Sequence, residues 1–210
     1  MIDQPIRQWI DPFLDVIAAR LHRMGITANA VTVGGFISGV VACVAISQSF
    51  YTVGLSLILL NRLADGVDGC LARIRKPTDL GGFLDIVFDT LFYSAVPFAF
   101  ALADPSRSLP ACFLIFSFVG TGGSFLAFAV IAARRGVARD PEGKKSFFYS
   151  VGLMEGAETI VCFILICLMP HRFAALAWTF GSLCWLTTII RIAAGVVAFR
   201  EAAPEAMERI

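Results

Sequence analysis

Charged side chains are scarce in this chain of 210 residues, where they make up 16% against roughly 25% in soluble domains. The formal net charge is only +1, so the sequence lacks the basic surface that a nucleic-acid partner would require. Hydrophobic residues make up 58% of the chain, and the mean hydropathy is +0.79. A soluble protein of this size could not bury so much apolar surface, so these values exclude a disordered chain, a fibrous repeat and most soluble domains. They predict an integral membrane protein.

Closely spaced cysteines are also lacking. None of the six cysteines lies two or three residues from another, as the ligands of a zinc site would. All but Cys70 lie in charge-free apolar runs, where a cysteine usually packs as a small hydrophobic side chain. The sequence therefore predicts neither a disulfide framework nor a zinc site.

The N-terminal segment does not have the uninterrupted apolar stretch of a signal peptide, because acidic residues interrupt it. Its apolar residues recur instead at helical spacing: Ile6, Trp9, Ile10, Phe13, Leu14, Ile17 and Leu21. This pattern predicts that residues 1–24 form an amphipathic helix on the membrane surface.

Long charge-free runs indicate membrane spans, each of which needs about 20 apolar residues. No charge occurs from Met24 to Leu60, a run divided by the polar residues 47–49, or from Ser108 to Ala133. We predict an all-α, polytopic bundle of six transmembrane helices, placed near 31–48, 51–72, 83–103, 111–133, 147–169 and 173–197. Residues 25–200 would form this domain, and residues 201–210 a cytoplasmic tail. Glycines 34, 35, 39, 120, 122 and 123 would form faces of close helix packing.

Basic residues predict the orientation, because they concentrate on the cytoplasmic side of a membrane. Fourteen lysines and arginines lie at one set of span ends, and only Arg107 and Arg172 lie at the other. Both termini are therefore expected in the cytoplasm, in a membrane of the bacterial inner-membrane type.

Four aspartates lie near the cytoplasmic ends of the second and third predicted spans. Asp65 and Asp68 are three residues apart and Asp85 and Asp89 are four apart, so each pair shares a helix face. The link Arg73–Leu80 is short, which makes the two helices antiparallel neighbours. The carboxylates can then converge on one cavity, where their repulsion would be relieved by bound cations. An all-oxygen site that leaves room for phosphates favours Mg²⁺ or Mn²⁺.

Small residues accompany the aspartates. Gly69 and Ala72 lie on the aspartate face of the second span, and Gly81 lies one turn before Asp85. A strip without bulky side chains lets a phosphate ligand approach the backbone. Arg73 could offer that phosphate a bidentate guanidinium.

These residues carry a specific resemblance. Residues 65–73 read DGVDGCLAR and residues 81–89 read GGFLDIVFD, with seven residues between them. This resembles the signature of the CDP-alcohol phosphotransferases, D-x2-D-G-x2-A-R followed after seven or eight residues by G-x3-D-x3-D, at every fixed position. The segment GITANAVT over 25–32 is similar to the family's start of the first span, except that Ala28 stands where members commonly have proline.

The resemblance implies roles for individual residues. Asp65, Asp68 and Asp85 would hold one metal ion, and Asp65, Asp85 and Asp89 a second. Asp89 would also take the proton of the acceptor hydroxyl. Contacts to the CDP group would come from Thr27, Ala28, Asn29, Ala30, Gly69, Arg73 and Thr78. The resemblance also implies a homodimer.

The expected activity is that of a CDP-alcohol phosphatidyltransferase, an enzyme of phospholipid synthesis. It would transfer a phosphatidyl group from CDP-diacylglycerol to a small polar alcohol and release CMP with the aid of two Mg²⁺ or Mn²⁺ ions. One alternative is transfer of a phospho-amino-alcohol from a soluble CDP-alcohol to a lipid hydroxyl. A remote alternative is a cation transporter, which the position of the aspartates near one membrane face disfavours.

The sequence does not identify the acceptor alcohol. Basic residues near the fourth and fifth spans could bind an anionic alcohol or follow the positive-inside rule: Arg134, Arg135, Lys144 and Lys145. Glu155 and Glu158 could bind a cationic or polyhydroxyl alcohol, or pair with Arg62 or Arg191. Arg62 could equally brace Asp65, which lies one turn further along. We favour an uncharged or cationic alcohol, because buried glutamates need a partner.

Overall fold

The structure is a computed structural model, and it describes residues 3–135, 154 and 156–200. Every secondary-structure element within these residues is helical, as the composition predicts. The α-helices are α1 (Asp3–Arg23), α2 (Ala28–Ser47), α3 (Tyr51–Arg75), α4 (Asp79–Ala103), α5 (Ser108–Arg134), α6 (Gly156–Leu168) and α7 (Phe173–Arg200). Short 3-10 turns at Pro105–Arg107 and Pro170–Arg172 precede α5 and α7.

Among the described residues, four helical segments are long and apolar enough to cross a membrane: α2, α4, and α5 and α7 with their preceding turns. They correspond to the first, third, fourth and sixth predicted spans. Helix α3 lies at the second predicted span, but every 18-residue stretch of it contains Arg62, Asp65 and Asp68. Helix α6 lies at the fifth predicted span and has 13 described residues. Residues 147–153 of that predicted span, and the predicted tail over 201–210, lie outside the described residues.

Two helices begin earlier than the hydropathy predicts. Helix α2 begins at Ala28 rather than near 31, because the Thr27 hydroxyl accepts a hydrogen bond from the Ala30 amide at 3.2 Å. Helix α4 begins at Asp79 rather than near 83, because the Thr78 hydroxyl accepts one from the Gly81 amide at 3.1 Å. Threonine is a favourable N-cap, so capping rather than hydropathy sets these ends.

Aromatic side chains form the centre of the bundle. Phe92 and Phe100 of α4 are buried, as are Phe163 of α6 and Phe173 at the start of α7. The rings of Phe100 and Phe173 stack at 4.8 Å, and those of Phe92 and Phe163 meet edge to face at 6.0 Å. These contacts fix the carboxyl-terminal half of α4 against α6 and α7.

The N-terminal helix lies along the C-terminal half of α3. Leu14 and Ala18 of α1 are buried in a cluster with Val67, Cys70 and Leu71 of α3. Exposed apolar side chains, among them Phe13 and Val16, cover other parts of α1. The helix therefore has a protein-facing side and a further apolar surface that the bundle does not cover.

Close packing of α2 against its neighbours depends on particular glycines. A Cβ atom at Gly35 would lie 2.8 Å from Cβ of Ala64 in α3, and one at Gly39 would lie 2.8 Å from the ring of Phe92. A Cβ atom at Gly34 would meet no other atom within 4 Å. In α5, likewise, Gly120 packs against Thr188, whereas Gly122 and Gly123 have open surroundings. The predicted packing faces are therefore correct for Gly35, Gly39 and Gly120 and wrong for the other three glycines.

We expect Gly35→Ala to lower the free energy of unfolding by about 1–3 kcal/mol, because two Cβ atoms fixed to backbones would force α2 and α3 apart. Gly34→Ala is the matched control on the same helix and should leave stability unchanged or slightly raised, since alanine favours helix. Thermal unfolding of the detergent-solubilised variants measures both. Equal melting temperatures for the two variants would contradict this account of the α2–α3 contact.

Candidate active site

Four aspartates from two helices line one small cavity. Asp65 and Asp68 come from α3, and Asp85 and Asp89 come from α4. The link between these helices is residues 76–78, which turns the chain back sharply and places the two carboxylate pairs opposite each other. The predicted convergence of the four carboxylates is what the structure shows.

The oxygen atoms in this cavity are suited to a divalent cation. One carboxylate oxygen from each of Asp65, Asp85 and Asp89 lies within 4.8 Å of the other two. The Oδ2 atom of Asp68 is buried and has no hydrogen-bond partner. An unsatisfied buried carboxylate oxygen is costly unless a proton or a cation accompanies it. The aspartates therefore fit the oxygen-only ligand set expected for Mg²⁺ or Mn²⁺.

Arg62 of α3 reaches into the same cluster. Its Nη2 atom donates to Oδ1 of Asp89 at 2.7 Å, and its Nη1 atom lies 3.7 Å from Oδ2 of Asp65. The arginine side chain is only 14% exposed. Of the partners considered for Arg62 from the sequence, the structure thus supports Asp65 and adds Asp89, which the sequence did not indicate.

A larger cavity of about 460 Å³ adjoins the aspartates and shares Thr32, Asp68 and Asp85 with the first cavity. Five of the seven residues expected to contact CDP line it: Thr27, Ala28, Asn29, Gly69 and Thr78. The backbone beside Gly69 is open, because a Cβ atom there would meet nothing within 4 Å. The structure therefore brings most of the expected donor residues to one space beside the carboxylates.

The amino ends of α2 and α4 lie beside this larger cavity, because their capping residues Thr27 and Thr78 line it. Helix amino ends carry a partial positive charge and unpaired amide donors, which favour phosphate groups. Gly81 lets the two ends approach closely, since a Cβ atom there would lie 3.1 Å from both Oδ1 of Asn29 and Oγ1 of Thr78. The cavity is thus suited to an anionic ligand at these helix ends.

Ala30 and Arg73 are the two expected donor residues that do not line this cavity. Ala30 is exposed on α2. Arg73 lies on the α1 side of α3, where its Nη2 atom donates to Sγ of Cys70 at 2.9 Å and is 3.9 Å from Oδ1 of Asp15. The side chain is 55% exposed, so it is not locked in this position.

Arg75 and Lys76 line the cavity instead, whereas the sequence predicted only that they lie among the basic residues at a span end. Arg75 also donates from Nε to Nδ1 of His22 at 3.1 Å, which ties α1 to the rim of the cavity. Lys76 has a φ of +77°, which is uncommon for a residue other than glycine. Both residues place positive charge beside the cavity, which suits an anionic ligand.

The residues considered for the acceptor are only partly described. Arg134 and Arg135 are exposed at the end of α5, and Arg135 donates to the Phe199 carbonyl at 3.3 Å. Glu158 is half-buried on α6. Arg191 donates to the Thr121 carbonyl at 3.0 Å and so links α7 to α5. Lys144, Lys145 and Glu155 lie outside the described residues.

Comparison with known proteins identifies relatives along most of the chain. Inner membrane protein YnjF of Escherichia coli is 47% identical over 201 residues, which cover 95% of this chain and 98% of that protein. An archaetidylinositol phosphate synthase of Methanothermobacter thermautotrophicus is 33% identical over 87 residues, 41% of each chain.

Solved structures with the same fold come from phosphatidylinositol phosphate synthase of Mycobacterium tuberculosis. Its complex with manganese and citrate matches with a TM-score of 0.65 at 21% identity, over 94% of this chain and 93% of that chain. Its complex with CDP-DAG matches with a TM-score of 0.58 at 21% identity, over 94% and 98% of the respective chains. At this level of identity the likeness shows a common fold.

The model of the CDP-alcohol phosphatidyltransferase family matches residues 25–199, which include both aspartate motifs and all helices from α2 to α6. The sequence signature, the helical fold and the family match agree. This protein therefore belongs to the CDP-alcohol phosphatidyltransferases, a family of phosphotransferases of phospholipid synthesis.

Proposed function

We propose that the protein transfers the phosphatidyl group of CDP-diacylglycerol to the hydroxyl of a small polar alcohol and releases CMP. The observation that carries this proposal is that the two cavities adjoin. Thr32, Asp68 and Asp85 line both the small cavity of the aspartates and the larger cavity at the helix amino ends. A pyrophosphate bound there would lie next to carboxylates suited to cations. CDP-DAG bound to the mycobacterial synthase supports a CDP-linked lipid as the donor.

In the proposed reaction the acceptor oxygen attacks the phosphorus that bears diacylglycerol. The bond from this phosphorus to the bridging oxygen breaks, and that oxygen leaves as part of CMP. Asp89 takes the proton from the attacking hydroxyl. Arg62 holds one oxygen of the Asp89 carboxylate at 2.7 Å, which fixes the orientation of the group for this task.

Asp65, Asp68 and Asp85 would hold one divalent ion, and Asp65, Asp85 and Asp89 a second. Manganese in the mycobacterial synthase and the oxygen geometry of three of these aspartates support a metal here. Bound Mg²⁺ or Mn²⁺ would supply positive charge to the pyrophosphate and to the departing oxygen of CMP. Thr27, Asn29, Gly69 and Thr78, together with the helix ends that two of them cap, would bind the nucleotide part of the donor.

The direct test is lipid analysis after incubation of the purified protein with labelled CDP-diacylglycerol and a panel of alcohols. The panel contains neutral alcohols, amino alcohols, glycerol 3-phosphate and inositol phosphate. We expect one labelled phospholipid and an equal amount of CMP. A parallel incubation pairs a CDP-amino alcohol with diacylglycerol. Product from this pair alone would show the reverse arrangement of donor and acceptor, and no CMP with any pair would contradict the proposal.

We further propose that α2 to α7 all cross the membrane, that α1 lies on its cytoplasmic surface, and that the termini and the active site face the cytoplasm. Asp65 and Asp68 of α3 are compatible with a span because they line the cavities, and Arg62 is compatible because its side chain is mostly buried. The exposed Phe13 and Val16 of α1 are suited to the interface between headgroups and acyl chains. Residues 25–200 would form one transferase domain, and the protein would act as a homodimer.

The two ends of α5 provide a test of this orientation. In a variant without native cysteines, Arg134→Cys should react with an impermeant thiol reagent only from the cytoplasmic side, and Ser106→Cys only from the outside. Both side chains are exposed, so burial does not limit their labelling. Labelling of the two positions from the same side would show that α5 does not cross the membrane.

A further inference from the structure

A buried arginine connects the two carboxylate-bearing helices. The Arg62 guanidinium of α3 contacts Asp89 of α4 at 2.7 Å and approaches Asp65 of its own helix at 3.7 Å. These are two of the three aspartates whose oxygens lie within 4.8 Å of one another. The same carboxylates that would hold cations are therefore held, in the structure, by a cation that belongs to the chain.

Arg62 is itself fixed by neutral groups on its other sides. Its Nε atom donates to Oδ1 of Asn61 at 2.8 Å, and its Nη1 atom donates to the Tyr93 hydroxyl at 3.3 Å. The guanidinium also lies 4.8 Å from the ring centre of Phe92 and 5.5 Å from that of Tyr93, within the range of cation–π attraction. Each of the three guanidinium nitrogens thus donates a hydrogen bond to a group of the protein.

The anchoring extends to a third helix. The Asn61 amide nitrogen donates to the Gly35 carbonyl of α2 at 2.8 Å, and Asn61 is only 4% exposed. Through this bond the arginine is placed relative to α2, α3 and α4 together. A surface arginine that merely follows the positive-inside rule would have no such buried support.

The electrostatic consequence follows from the number of charges. Four carboxylates line one cavity, and the arginine places one fixed positive charge among them. In a partly buried site such a charge lowers the repulsion between carboxylates when no cation is bound, and it repels an incoming divalent cation. A guanidinium stays protonated at every physiological pH, so both effects are permanent.

We propose that Arg62 is a positioning residue that orients Asp89 and Asp65. Its fixed positive charge also lowers the affinity of the aspartate cluster for divalent cations. This inference rests on the proposed function, since it assumes that the cluster holds metal. The inference predicts that loss of Arg62 raises the metal affinity. Loss of a purely structural arginine would instead leave the metal affinity unchanged or reduce it.

The experiment titrates the purified, detergent-solubilised protein with Mn²⁺ alone and follows binding by calorimetry and by the melting temperature. Arg62→Gln should bind Mn²⁺ at least about tenfold more tightly than wild type, because a cation near the ligands is removed. Its melting temperature in chelator should fall, and saturating Mn²⁺ should recover most of that loss. Arg62→Lys, which keeps the charge, should bind Mn²⁺ within about threefold of wild type.

Tyr93→Phe is the matched control. It removes the hydroxyl that accepts from Arg62 but keeps the ring and the guanidinium charge. We expect its Mn²⁺ affinity to stay within about threefold of wild type. An equal tightening in Tyr93→Phe and Arg62→Gln would overturn the inference, because loosening rather than charge would then be the cause.

A double variant covers the case in which Arg62→Gln alone does not fold. Asp89→Asn removes one carboxylate and should weaken Mn²⁺ binding, and adding Arg62→Gln to it should restore part of the affinity. A double variant that binds no more tightly than Asp89→Asn would overturn the inference. A wild-type chain that binds no Mn²⁺ would instead contradict the proposed metal site, on which the inference rests.

Discussion

Asp89→Asn should lower kcat for CMP release by about a thousandfold or more, while the KM for CDP-diacylglycerol changes by less than about threefold. A general base contributes 10²–10⁴-fold to the rate, and an amide can neither accept the proton nor replace a carboxylate ligand fully. Most of the effect falls on kcat because proton transfer occurs in the transition state, whereas the other three aspartates and the residues of the larger cavity would still bind the donor. Steady-state kinetics with the preferred acceptor measures both constants.

Asp79→Asn is the control for this variant. Asp79 is an exposed acidic residue on the same helix, at its amino end, and it lines neither cavity. Its replacement removes the same charge from α4 and should leave kcat within about threefold of wild type. Near wild-type turnover in Asp89→Asn would show that another group takes the proton, and an equal loss in both variants would point to an effect of net charge instead.

The convergence of the four aspartates was accessible from the sequence for a physical reason. Spacings of three and four residues place Asp65 with Asp68 and Asp85 with Asp89 on common helix faces. Because the link between the two helices is short, they must pack side by side as antiparallel neighbours. The small number of residues between the motifs thus determines the site almost as strongly as the motifs do. A helix was also predicted at each position from α2 to α7, but from the long apolar runs rather than from these motifs.

The rotation of each helix about its own axis was not accessible in this way. Hydropathy is nearly uniform around α2, so the sequence could not distinguish Gly35, which packs on Ala64, from Gly34, which faces open space. Arg73 was expected at the phosphate because it follows the glycine of the aspartate motif, whereas the structure turns it toward Asp15 and Cys70 and brings Arg75 to the cavity. The position of Arg73 depends on how α1 packs against α3, and that of Gly35 on how α2 packs against α3; no local pattern encodes either contact.

The partner of Arg62 shows a third limit. From the sequence, Asp65 is one turn away and the glutamates of the fifth predicted span are possible partners, but Asp89 is 27 residues distant. The pairing requires α3 and α4 to be antiparallel with a particular vertical offset, which the Thr78 cap establishes by starting α4 at Asp79. The polar Asn61 within an apolar stretch was a usable signal, since a buried amide must find a partner.

Removal of divalent cations should abolish activity completely. In excess EDTA we expect CMP release to fall below about 1% of its initial rate, because the carboxylates alone repel a pyrophosphate and cannot stabilise its departing oxygen. Adding back Mg²⁺ or Mn²⁺ in excess over the chelator should restore the rate. The oxygen-only ligand set explains why these two ions are the ones expected to work.

The aspartates should differ in their response to added metal. Asp65 would hold both ions, so Asp65→Asn should raise the Mg²⁺ concentration for half-maximal rate by about tenfold or more, and high Mg²⁺ should recover part of the rate. Asp89→Asn should recover little, since no concentration of metal supplies the missing base. Wild-type activity that persists in EDTA would contradict the metal site itself. An identical Mg²⁺ dependence in wild type and Asp65→Asn would place the metal elsewhere in the protein, because one of its central ligands would then be dispensable.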